Sequence, residues 1–153
     1  MTKQRLSKYI TLKMENANQL ERLARMESEA QLPGMRESDG SQHTGGATDR
    51  MEKAIIRYME YRERITPKIK ENEAEMERIE EAIDRVGDPM EREVLRLRYT
   101  DGEHCRHMPW RDVALKIYGD DDESKLQSVY RLHGRALQSI RKESVLYDEE
   151  TVR

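Results

Sequence analysis

Phenylalanine is absent from this chain, and tryptophan and cysteine occur once each. A lone Cys105 closes no internal disulfide, which agrees with a reducing compartment. With 35% hydrophobic and 39% charged residues, the chain is too polar for a compact globule built on one large core. That balance fits long helices, each with one narrow apolar stripe. No hydrophobic run approaches the length of a membrane-spanning helix. The opening residues MTKQRLSKYITLKMEN carry charge where a signal peptide needs an apolar core. The expectation is a cytoplasmic protein without a membrane partner. Nucleophile elbows, phosphate loops and glycine-rich dinucleotide motifs are missing. The many Asp and Glu residues fall on heptad-spaced helices, as solvated faces do. A non-enzyme without cofactor is expected.

What is present is helical periodicity. Residues 3–30 lack Pro and Gly and place Leu6, Ile10, Met14, Ala17, Leu20, Leu23 and Ala24 at helical spacing. Residues 31–48 collect Pro, Gly, Ser, Asp and Thr, the composition of a mobile loop. A second pattern spans 49–86: Met51, Ile55, Tyr58, Arg62, Ile65, Ile69, Asn72, Met76, Ile79, Ile83, Val86. Its steps of four and three describe a coiled-coil seam with Arg62 and Asn72 as polar, register-setting members. Pro67 sits in phase within the seam and predicts a kink, although Thr66 with Pro67 also fits the start of a new helix. The simplest assembly of residues 1–87 is an antiparallel helical hairpin. Its longer second helix leaves apolar surface uncovered, which implies a partner: a second copy forming a homodimer through helix 49–86, another protein, or the C-terminal domain.

Beyond Gly87 the punctuation changes. Asp88-Pro89-Met90-Glu91 combines a capping Asp, Pro at the first helical position and Glu placed for a capping box. The helix it opens runs to about Tyr99, and Thr100-Asp101-Gly102 ends it. After the loop GEHCRHM, Pro109 opens a short helix that Gly119 closes, and Asp120, Asp121 and Asp122 supply capping oxygens to the last helix. That last helix carries five basic and no acidic side chains between Ser124 and Lys142, in a chain whose net charge is -3. Leu126, Val129, Leu132, His133, Ala136, Leu137 and Ile140 cluster on one side; Ser124, Gln127, Ser128, Arg131, Gly134, Arg135, Gln138 and Lys142 fall on the other. Arg and Gln reach base edges with paired hydrogen bonds, and Ser and Lys suit phosphates. Gly134 lets a backbone come close, and His133 reads as a packed or hydrogen-bonded core histidine. Two short helices, a tight turn and a longer basic helix make a helix-turn-helix plan over 88–142, followed by an acidic tail at 143–153. The fold class expected is therefore all-α.

The segments VLRLRYTDG, WRDVALKIYG and SVYRLHGRALQSIR resemble sigma factor region four and its phage relatives over residues 92–141. The layout, a helical half with a Gly/Ser-rich loop ahead of such a domain, resembles phage regulators of the RinA and ArpU type. The resemblance implies transcription control of phage or prophage genes, chiefly activation, with double-stranded DNA and host RNA polymerase as partners inside a bacterial cell. It implies packing roles for Trp110, Val113, Ala114, Val129, Ala136 and Leu137. It places Lys125, Gln127, Ser128, Arg131 and Arg135 toward DNA, to which the helix's outer face adds Gln138 and Lys142. The loop 102–109 is longer than in the shorter members of that family, and the turn GDDDES is extended and strongly acidic.

Three other readings compete with this one. His104, Cys105 and His107 lack the second ligand pair that a zinc site needs, so no metal is expected. A helix-turn-helix joined to coiled-coil helices also occurs in small-terminase DNA-packaging proteins, which form rings, and a basic helix can serve an adaptor that binds an acidic protein.

Overall fold

The computed structural model describes residues 1–31 and 44–151, the last turns of the final helix as backbone only. The fold is all-helical: α1 (Lys3–Gln31), α2 (Thr44–Asp84), α3 (Pro89–Leu95), α4 (Trp110–Tyr118) and α5 (Glu123–Thr151), with a π turn, Arg96–Thr100, prolonging α3. No helix among the described residues is long and apolar enough to cross a membrane.

Several boundaries differ from the sequence expectation. Gln31 and residues 44–48, expected in the loop, are helical, so α2 starts at Thr44; the rest of that loop lies outside the described residues. Gly45 and Gly46 weaken a helix without forbidding one, and here they extend a helix already nucleated downstream. At the other end, α5 continues to Thr151 through the expected acidic tail. Nothing between Lys142 and Thr151 breaks a helix: the segment has neither Pro nor Gly. Pro67 lies inside an uninterrupted α2, so Thr66 starts no new helix. Its hydroxyl instead donates to the Arg62 carbonyl at 2.7 Å, beside the position where Pro67 has no N–H to offer.

The chain divides into two compact units, and the division cuts α1 and α2 rather than falling at Gly87. One unit contains residues 15–72. Its buried cluster is Tyr61, Ile65 and Ile69, with Leu23 and Met26 packed against it. The Arg22 and Arg64 guanidiniums stand over the Tyr61 ring at 5.0 and 5.4 Å. Asn16 is buried; its amide donates to the Ile69 carbonyl at 3.2 Å, and Asn72 donates to the Asn16 side-chain oxygen at 2.8 Å. These contacts, Asn16 with 69–72 and Arg22 with 61, make the two segments antiparallel. Asn72 meets the facing segment from its expected place in the seam. Arg62 does not join the seam: it is exposed, and Tyr61 takes the inward position. A step of three then four replaces four then three because the large ring fills the gap between the helices and Arg62 keeps its charge in water.

The other unit contains residues 1–14 and 73–153. Leu6, Ile10, Ile79, Ile83 and Val86 share one core with Val94, Leu95, Leu97 and Tyr99, and with the inner faces of α4 and α5. Asp88 caps α3, accepting from the Met90 and Glu91 backbone N–H groups at 2.8 and 3.1 Å. Arg5 pairs with Glu75 at 2.6 Å, and this hydrogen bond chiefly holds the Glu75 carboxyl below its ordinary pKa. Tyr9 donates to Glu80, and burial first, then that carboxylate, pushes the phenol's pKa up. Gly102 is required where it stands: a Cβ there would lie 2.1 Å from the Arg106 carbonyl oxygen and 2.6 Å from an Ile10 methyl.

Candidate nucleic-acid interface

The candidate surface lies on α5, whose inner face is locked. Leu126, Val129, Leu132, Ala136 and Ile140 are buried in the larger core, and Leu137 packs against it. Burying those five side chains fixes the rotation of the helix, so its remaining residues face outward by default. Ser124, Gln127, Arg131, Gly134, Arg135, Gln138, Arg141 and Lys142 are exposed, and Ser128 is half-buried. Among the described residues, Arg131 and Arg135 have no acidic side chain at ion-pair distance. Tyr118, Ser128, Arg131, Gly134, Arg135 and Gln138 line an open groove of about 590 Å³ between the end of α4 and the middle of α5.

Of the residues expected on this surface, the fold brings six into one stripe: Gln127, Ser128, Arg131, Arg135, Gln138 and Lys142. Lys125 stands apart. It is half-buried, and its ammonium lies 5.8 Å from the centre of the Tyr118 ring. Sequence reasoning missed Tyr118 as a groove residue. Its signal was available, an aromatic in the last turn of a short helix one residue before the closing glycine, but periodicity alone does not say which neighbour that turn meets.

The acidic turn is occupied with its own backbone and side chains. Gly119 ends α4 in the left-handed region at φ 73°, its N–H donating to the Leu115 carbonyl at 2.8 Å. Asp122 caps α5 by accepting from the Lys125 N–H at 2.8 Å. Asp120 accepts from the Asp122 N–H at 3.2 Å, and Asp121 faces Arg111 at 3.5 Å. The three carboxylates are thus tied to chain donors close to the helix start, and the stripe from Arg131 onward carries no acid.

Behind the stripe an aromatic and cationic cluster fixes α4 against α5. Trp110 receives the Arg98 guanidinium on its face at 4.4 Å and the edges of His133 and Tyr130 at 4.7 and 5.4 Å. Arg98 also donates to the Met108 carbonyl, closing the 101–109 loop onto the π turn. That turn is marked by the Asp101 N–H reaching the Arg96 carbonyl five residues back, at 3.0 Å. It turns Tyr99 inward, where its hydroxyl meets His133 Nε2 at 2.8 Å. Burial pushes the His133 imidazole down to about 4 and the Tyr99 phenol up, so at neutral pH both are uncharged. His133 is the hydrogen-bonded core histidine that the sequence indicated.

His104 and Cys105 lie exposed in the 101–109 loop with positive φ, 52° and 63°, while His107 sits edge-on to Tyr99 at 5.6 Å. No three His, Cys, Asp or Glu side chains among the described residues are placed to hold a metal. Comparison with protein-family models, with curated proteins and with solved structures found no match for this chain.

Proposed function

We propose that this chain is a sequence-specific DNA-binding transcription regulator, with α4 and α5 as its helix-turn-helix and α5 entering the major groove. The observation that carries the reading is the stripe Gln127, Ser128, Arg131, Arg135, Gln138 and Lys142: exposed or half-exposed, free of acid, and mounted on a helix whose rotation the core fixes. Arg131, Arg135 and the two Gln side chains suit bidentate contacts to guanine and adenine edges, each worth about 1–3 kcal/mol of discrimination. Lys142 and Ser128 suit phosphates. Asp121 and Asp122 of the acidic turn are held by their own ion pair and cap, and Glu123 accepts from the Gln127 amide at 3.0 Å, so the acid-free part of the stripe is that from Ser128 to Lys142.

The finer parts of the proposal rest on the resemblance to sigma factor region four: a phage or prophage activator that works with host RNA polymerase in the bacterial cytoplasm. Pairing of two copies through the 49–86 helix belongs to the same reading and is supported by the exposed Met51, Ile55, Ile56 and Met59.

The test is selection of bound duplexes from a random-sequence pool, followed by affinity measurements on the recovered site. Arg131→Ala combined with Arg135→Ala should abolish specific binding with the helical circular-dichroism signal intact. Raising salt from about 50 to 200 mM should weaken wild-type binding by one to several orders of magnitude. Unchanged affinity in the double variant removes the reading.

A further inference from the structure

Gly134 occupies the middle of α5, in ordinary helical backbone, at the least favourable place for a glycine short of a proline. Such glycines usually answer to a neighbour. This one does not: a Cβ built at Gly134 meets nothing within 4 Å. No turn, positive φ or close helix contact asks for it, so the fold itself would be served better by alanine. The glycine lines the groove beside Arg131, Arg135 and Gln138.

Its angular position is informative. With about 100° of rotation per residue, Gly134 lies roughly 60° to one side of Arg131, on the flank of the stripe rather than its crest. The opposite flank is also slim. Ser128 turns its hydroxyl back to the Ser124 carbonyl at 2.9 Å and so lies close to its own helix. A helix with side chains is about 10–12 Å across and the major groove about 12 Å wide. The crest of a helix seated there meets base edges; its flanks meet the sugar–phosphate walls.

Resting on the DNA-binding reading above, we propose that Gly134 is a contact residue: one strand's sugar–phosphate backbone approaches α5 at Gly134 too closely to admit a methyl group, and this approach sets how deep Arg131 and Arg135 reach.

The experiment compares the full-length chain with Gly134→Ala. The probe is a duplex recovered from a random pool by the wild-type protein, and thermal melting is recorded in parallel. The expected result is opposite signs: a melting temperature higher by about 2–6 °C and an affinity for the duplex lower by about tenfold or more. Arg131→Ala is run beside it. Wild-type affinity in Gly134→Ala, with a loss in Arg131→Ala, overturns the close approach and leaves the DNA reading standing. Undiminished affinity in both variants overturns both. A lower melting temperature in Gly134→Ala also overturns the proposal, because the glycine would then serve the fold.

Discussion

The two compact units solve the same problem, burying apolar stripes of α1 and α2, with very different resources. In the unit of residues 1–14 and 73–153, those stripes meet three further helices, and 18 buried side chains form one cluster among the described residues. The described residues of the unit 15–72 belong to two helices, and the buried cluster is Tyr61, Ile65 and Ile69. Two helices cover one seam and no more. Leu20, Ile56 and Met59 are exposed, and so are Met51 and Ile55, which the sequence placed in the seam: the seam is buried from Tyr61 onward, not from its start. The smaller unit compensates with specific polar and cationic contacts, the Asn16–Asn72 pair and the two guanidiniums on Tyr61. Hydrophobic burial scales with the number of faces that converge, so the larger unit holds the greater share of stability and holds α5 the more rigidly.

The largest expected effect separates the units directly. Leu95 is fully buried where several helices converge, so Leu95→Ala should cost about 3–5 kcal/mol; Ile69→Ala, at a two-helix contact that can close over the gap, should cost about 2 kcal/mol. Chemical denaturation of each variant measures both. Equal losses would break the comparison.

Acid should act on the larger unit first. His133 is held neutral by burial, with a folded pKa of about 4 against an ordinary 6.5. The unfolded chain therefore binds this proton more readily than the folded one between those values. Its contribution is fully present above about pH 6.5 and is lost as pH falls toward 4, by about 3 kcal/mol in all. The check is a series of denaturation curves across that range. A His133→Gln variant should show a flatter dependence, since Gln can still hydrogen-bond the Tyr99 hydroxyl without titrating.

A smaller effect sharpens the account of the two-helix unit. Asn16→Ala leaves the Asn72 amide without its 2.8 Å acceptor and should cost about 1–2 kcal/mol. Replacing both by Leu should recover most of that loss while relaxing register, seen as faster amide exchange in residues 60–72. A double variant as costly as the single one would mean that the pair stabilises the unit beyond setting its register.

The sequence by itself determined the things that depend on neighbours along the chain. Helices appear where apolar residues recur at three and four, because that spacing lies on one face whatever the partner. Asp88-Pro89 starts α3 and Gly119 ends α4 because capping and left-handed backbone are local chemistry. The inner face of α5, His133 included, and the outer stripe of Gln127, Ser128, Arg131, Arg135, Gln138 and Lys142 follow from the same rule, since burying one side of a rigid helix exposes the other. Tertiary structure alone decided what depends on residues far apart in sequence. Tyr61 displaced Arg62 from the seam because the space it fills is set by the facing helix. Lys125 left the stripe for the Tyr118 ring of α4. The first 14 residues joined the unit of the C-terminal half, and a division within α1 and α2 leaves no mark in composition. The π turn has no local signature either: one residue of extra helix width is stable at Arg96–Thr100 because Tyr99 then reaches His133 and Arg98 reaches Trp110, contacts of 34 and 12 residues' separation that only the folded core supplies.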